Sequence, residues 1–73
     1  MDELIIRAVY DDEARVWVAT HDQLGLATEA ETVDVMLYKL QEMIPELAEL
    51  NNVDVTHPVR FKLVSEKSAV AFV

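Results

Sequence analysis

Residues 32–50 read TVDVMLYKLQEMIPELAEL, and this stretch decides the fold. Thr32 is a favourable N-cap because its hydroxyl can accept from an early backbone N–H, and Asp34 suits the positive end of the helix dipole. Apolar residues then recur at helical spacing along one stripe: Val33, Met36, Leu37, Leu40, Met43, Ile44, Leu47 and Leu50. The sequence therefore predicts an amphipathic helix that bends at Pro45, on its polar side, and ends at residues 51–52, both Asn.

Strands flank this helix in the sequence. Residues 3–10, 15–20 and 26–28 precede it, and residues 59–64 follow it with a clean two-residue alternation. A last strand is expected over residues 68–73. We predict an α+β fold of order β-β-β-α-β, or β-β-β-α-β-β with the last strand, in which an antiparallel sheet carries the helix on one face.

Length and charge limit the function. Residues 1–73 have the size of a single domain, which leaves no room for a catalytic domain beside a cofactor domain. Residues 1–50 hold twelve acidic and three basic side chains, a net charge of −9, whereas residues 51–73 carry +1. An acidic protein is repelled by the phosphates of nucleic acids, so we expect no direct nucleic-acid binding. The negative charge instead keeps the protein soluble or attracts a basic partner.

The compartment is predicted from what the sequence lacks. It begins without a basic and apolar leader, contains no apolar run long enough to cross a membrane, and has no Cys. We expect a cytoplasmic protein without membrane contact. Because a small chain without disulfides needs another source of stability, we also expect oligomerisation.

The densest acidic cluster is Asp11-Asp12-Glu13. Carboxylates of this kind bind Mg²⁺ or Ca²⁺ when a loop points them at one centre. Adjacent residues of a hairpin turn point in different directions, which favours a solvated turn. A metal-dependent nuclease remnant that uses Asp11, Asp12 or Asp22 is a minor alternative.

Other chemistry-bearing residues lack the required spacing. His21 and His57 stand far apart in a chain without Cys, and a single glycine, Gly25, excludes a glycine-rich phosphate loop. No nucleophile motif surrounds any serine. We predict no enzymatic activity, no catalytic residue, no cofactor and no metal.

Two side chains of the predicted helix, Val35 and Tyr38, turn away from its apolar stripe. Acidic residues surround them at helical spacing: Asp34, Glu42 and Glu49. Tyrosine is enriched in binding hot spots, and acids complement a basic partner. We predict that these five residues bind a small basic protein.

A second surface is expected on the sheet, because one helix covers only one of its faces. The residues expected under the helix are Val16, Val18, Phe61 and Leu63. An uncovered apolar patch usually marks an interface. We predict a homodimer or higher oligomer through the other face or the edge of the last strand. The residues assigned to self-association are Trp17, Ala19, Val64, Val70 and Phe72.

Three stretches of the chain form a recognisable set. They are Trp17-Val18-Ala19-Thr20, Leu24-Gly25-Leu26-Ala27-Thr28, and the helix that opens at Glu31-Thr32 and continues through Leu40 to Ile44-Pro45-Glu46-Leu47. The set resembles the HicB-like family, in particular its short standalone domains of unknown function. The resemblance implies a partial RNase H-like fold and the role of an antitoxin that occludes a small basic ribonuclease toxin of a type II toxin–antitoxin pair.

Many HicB-like proteins add a C-terminal DNA-binding domain. The sequence given stops at Val73, so we expect no such domain and no autoregulation by this chain. The leading interpretation is a non-enzymatic protein-binding module, acting as an antitoxin. The alternative is an orphan structural or regulatory oligomeric domain with no toxin partner.

Overall fold

The computed structural model describes residues 3–72. The elements in chain order are β1 (Leu4–Asp11), β2 (Val16–His21), β3 (Leu26–Ala30), α1 (Val33–Leu50) and β4 (Phe61–Glu66). The predicted α+β class and the order β-β-β-α-β are confirmed. The helix lies against one face of the sheet, and the core is the layer between them.

The Asp11 side chain stabilises the turn of the first hairpin, which joins β1 to β2. The Asp11 Oδ1 atom accepts from the backbone N–H groups of Glu13, at 3.0 Å, and Ala14, at 3.2 Å. The Arg15 N–H donates to the Asp11 carbonyl at 2.7 Å, and Arg15 takes a positive φ of 58°. The local side-chain bonds of Asp11 are those of an Asx turn.

The sheet is mixed, with strand order β3-β2-β1-β4. β2 is antiparallel to both β1 and β3, but β4 runs parallel to β1. The prediction of a wholly antiparallel sheet is therefore wrong for β4. The reason lies in the connection: α1 returns the chain to the end of the sheet where β1 and β3 begin, so β4 must run in their direction.

The predicted last strand over residues 68–73 is also wrong where the structure describes it. Residues 68–72 form no strand, and Val73 lies outside the described residues. β4 instead continues to Glu66, and the Lys67 Nζ atom then lies 4.0 Å from the ring centroid of Tyr10. This cation–π contact holds the Lys67 side chain beside β1.

The helix begins and ends as its sequence predicts. Thr32 Oγ1 accepts from the Val35 N–H at 3.1 Å, which is the expected N-cap bond. The helix runs through Pro45 and is capped by Asn51. Asn52 follows with a φ of 55°. The buried residues of α1 are Met36, Leu40, Ile44 and Ala48.

One side chain joins the end of the helix to the turn between β2 and β3. The Asn51 Nδ2 group donates to the Leu24 carbonyl at 2.9 Å and to the Leu47 carbonyl at 3.1 Å. Gly25 lies beneath it with φ +65°, and a Cβ at that position would stand 3.4 Å from Asn51 Nδ2. A φ of this sign and size is the left-handed conformation that glycine adopts without strain.

The two faces of β2 are reversed relative to the prediction. Ala19 is fully buried and pairs with buried Ala8, while Trp17 pairs with Tyr10 and packs against the core. Val16 and Val18 consequently lie on the face without a helix. The alternating side chains on both faces of β2 are largely apolar, so the sequence pattern alone could not show which face packs under the helix. The pairing register with β1 determines it. Phe61 and Leu63 do pack against the core, as predicted.

Candidate functional site

The first candidate surface is the outer helix face, defined as Asp34, Val35, Tyr38, Glu42 and Glu49. Residues four apart on a helix lie one above the other, so Tyr38 stands between Asp34 and Glu42. Tyr38 is 73% exposed and Val35 45% exposed. All three acidic side chains are exposed as well. The structure thus brings the five predicted residues together on the side of α1 that faces away from the sheet.

The acids of this face lack basic partners within the part of the chain that the structure describes. Ion pairs among residues 3–72 join Arg7 to Glu66 at 3.4 Å and Lys62 to Glu3 at 3.9 Å, both on the sheet. Lys39 is the basic residue of α1, but its Nζ donates to the backbone carbonyl of a β3 residue. The negative charge of the outer helix face is therefore available to an external cation.

A shallow cavity extends the outer helix face toward the connection between α1 and β4. Its volume is about 360 Å³, and Glu46 and Glu49 line it together with Asp54 and His57. Sequence reasoning missed Glu46, although the signal was present: it lies four residues after Glu42 and three before Glu49, and is exposed. Three acidic residues, Glu46, Glu49 and Asp54, therefore border this cavity.

The residues assigned to self-association fall in three different places. Ala19 is wholly buried under the helix, and Trp17 is half-buried with its ring edge-to-face against Tyr10 at 5.2 Å between centroids. Their assignment to an exposed sheet interface is wrong, because the register with β1 turns them inward. Val64 is half-buried, whereas Val70 is 78% and Phe72 92% exposed.

The open sheet face carries other apolar residues than those predicted. Ile5 is 50% and Val9 56% exposed, and Val9 pairs with half-buried Val18 on the neighbouring strand. Cross-strand apolar neighbours of this kind form a contiguous patch. The open sheet face therefore carries an apolar patch at Val9 and Val18, while Arg7, which forms an ion pair with Glu66, separates Val9 from Ile5 along β1.

The acidic turn of the first hairpin has a structural use. One carboxylate oxygen of Asp11 is occupied by two backbone N–H groups of its own turn. Across residues 3–72, no three His, Cys, Asp or Glu side chains gather in a geometry that could hold a metal ion. The other two residues of the nuclease alternative, Asp12 and Asp22, are exposed in the turns after β1 and β2.

The described helix is also too polar to serve as a membrane span. Its exposed side consists largely of the acidic residues named above.

Comparison with known proteins places the chain in a family. A model described as a domain of unknown function, DUF1902, matches residues 3–73. The structure is similar to the crystal structure of a hypothetical protein from the extremely thermophilic bacterium Thermus thermophilus, with 44% identity and a TM-score of 0.81 over 94% of this chain and 99% of that one. No curated protein matches the chain. The chain belongs to the DUF1902 family of domains of unknown function.

Proposed function

We propose that this protein is a non-enzymatic, cytoplasmic protein-binding module of the HicB type, the antitoxin of a type II pair. Its outer helix face binds a small basic protein, a ribonuclease toxin that it occludes. The observation that carries the proposal is Tyr38: an aromatic side chain 73% exposed in the middle of an acidic helix face.

The chemistry of the outer helix face fits a protein partner. Tyrosine contributes a large apolar ring and a hydroxyl, and it is enriched in the residues that dominate binding energy. Val35 beside it adds a second exposed apolar contact. The surrounding carboxylates complement Lys and Arg, so the face combines an apolar centre with a charged rim.

The scaffold presents this face in a fixed geometry. The inner side of α1 is anchored by four buried residues, and the first turn is capped by Thr32. Asn51 ties the other end of the helix to the sheet. Because the helix is already ordered, binding loses less of its free energy to ordering this face.

Charge supports a basic partner over the whole molecule. The net charge is −8, and the first fifty residues are the acidic part. A field of this sign accelerates encounter with a basic protein and disfavours nucleic acid. The HicB-like sequence set described above is consistent with this partner.

The proposal is tested by calorimetry with the product of the neighbouring gene, which the proposal predicts to be a basic protein of similar size. The variant Tyr38→Ala with Glu42→Lys should weaken binding at least about thirtyfold, the loss expected for a hot spot. Glu13→Lys, on the first hairpin, makes the same charge change away from the outer helix face. This control should weaken binding less than about threefold.

Two outcomes contradict the proposal. If both variants weaken binding equally, only the overall charge matters and the outer helix face is not the site. If the neighbouring gene encodes no basic chain, or its product does not bind, the orphan oligomeric domain is the correct interpretation.

A further inference from the structure

We propose that residues 68–72, here named the arm, pair with the free edge of β4 in a second copy of the chain, and that the exchange is reciprocal. The arm and the free edge of β4 are separate from the outer helix face. The inference therefore goes beyond the proposed function and does not depend on it.

The arm extends beyond the body of the molecule. The helix α1, with 18 residues, is about 27 Å long, and β1, with eight residues, is about 26 Å long. The longest dimension of the molecule is nevertheless 49 Å, whereas its two other dimensions are 22 and 19 Å. β4 and the arm together span about 40 Å. The radius of gyration, 13.6 Å, likewise exceeds the value of about 11 Å expected for a compact chain of this length.

The sequence of the arm is unsuited to solvent. Residues 68–72 read SAVAF and carry no charge, no proline and no glycine. Val70 is 78% and Phe72 92% exposed. Short, uncharged segments rich in β-branched and aromatic residues form strands wherever an unpaired edge is available. The arm therefore has the composition of a strand without a partner.

The arm forms no strand in its own sheet: residues 68–72 lie outside every strand of the described chain. β4 keeps its parallel course to its end, and the Lys67 Nζ atom lies 4.0 Å from the ring centroid of Tyr10 on β1, one residue beyond the last pair, Val9 and Glu66. A hairpin back along β4 would therefore have to begin beyond Lys67, which leaves, of the described residues, only 68–72 for both the turn and the returning strand. For this reason we place the strand that receives the arm in another molecule.

The edge of β4 is the acceptor. β4 is the outermost strand on its side of the sheet. The Arg60 carbonyl accepts from the Leu4 N–H, so Arg60 points its backbone groups at β1. Successive residues of a strand point their backbone N–H and C=O groups to alternate sides. The backbone groups of Phe61, Leu63 and Ser65 therefore face outward, away from β1.

The opposite edge of the sheet is less accessible. There, the Lys39 side chain donates to the backbone carbonyl of Glu29 on β3. A charged side chain at a strand edge is a common means of blocking edge-to-edge pairing. The comparison favours β4 over β3 as the edge that receives the arm.

Charge also favours contact through this part of the chain. Residues 1–50 carry −9, so two copies that met through α1 or the first hairpin would repel each other. Residues 51–73, which include β4 and the arm, carry +1. They are the part of the molecule through which two acidic copies approach without that repulsion.

A two-fold axis completes the arrangement. Two copies related by such an axis run their β4 segments antiparallel, so each arm lies along β4 of the other copy and every contact is made twice. The arm covers side chains of β4 that a single chain leaves half-buried: Phe61, Leu63 and Val64. The predicted assembly is a dimer with one continuous sheet.

The test is sedimentation velocity of the full chain at about 1 to 100 µM, where mass action reveals a reversible dimer. The unmodified chain should convert from monomer to dimer in this range. Val70→Ala with Phe72→Ala should raise the dissociation constant at least about thirtyfold, since these side chains fill the centre of the contact. Leu50→Ala, which shortens a 76% exposed side chain outside the arm, is the matched control and should leave the dimer unchanged.

A second variant tests the acceptor edge. Ser65→Pro removes one outward N–H, and proline is tolerated on an edge strand when that group faces solvent. The variant should keep the monomer's circular dichroism spectrum while losing the dimer. A monomer at every concentration, or a dimer that survives both the arm and the edge variants, would overturn the proposal.

Discussion

At the residue scale, the Asn51 side chain connects the helix α1 to the turn between β2 and β3. Its amide group donates both to the last turn of α1 and to the Leu24 carbonyl in the turn between β2 and β3. The turn that brings the Leu24 carbonyl to Asn51 has a φ of +65° at Gly25, a left-handed conformation that glycine adopts without strain. The outer helix face therefore keeps its orientation relative to the sheet.

Asn51→Ala should lower the free energy of unfolding by about 1–3 kcal/mol, because the partly buried Leu24 carbonyl loses its hydrogen-bond donor. Urea denaturation followed by circular dichroism measures this change. Gln23→Ala, at an exposed position of the same turn, is the control and should change stability by less than about 0.5 kcal/mol. Equal stability of the two variants would show that Asn51 does not hold the helix to the turn.

At the scale of the elements, the helix was more predictable than the sheet. The spacing of the apolar residues and the Thr32 cap predict α1 and its exposed side, because many residues together define the apolar stripe of a helix. β2 has apolar residues on both faces, so its orientation depends on pairing with β1, which no local pattern contains. The direction of β4 follows from the path of the connection. For these reasons the outer helix face was predicted and the self-association residues of β2 were not.

β1 provides a direct check of which face is inside. Ile6 is fully buried, while Ile5 is 50% exposed on the open sheet face. Ile6→Ala should destabilise the protein by about 2–5 kcal/mol, the range for a buried large-to-small change. Ile5→Ala is the matched substitution one residue away and should cost under about 1 kcal/mol. Chemical denaturation of both variants distinguishes the faces, and the reverse ranking would contradict this orientation of the sheet.

For the whole molecule, the separation of charge assigns different partners to different surfaces. The acidic residues collect on the outer helix face and in the turns, whereas β4 and the arm lie in the segment that carries +1. Composition predicted an acidic chain in need of another copy for stability. It could not predict where the copy binds, because only the structure shows that residues 68–72 form no strand in their own sheet.

The most direct measurement is a nuclear magnetic resonance titration of the isotopically labelled protein with the product of the neighbouring gene, which the proposal predicts to be a basic protein. We predict that the largest changes in amide chemical shift fall on the outer helix face: Asp34, Val35, Tyr38, Glu42 and Glu49. Smaller changes are expected on the open sheet face, at Ile5 and Val9. Changes concentrated on the open sheet face or on β4, with α1 unaffected, would contradict the central claim that the acidic helix face is the protein-binding site.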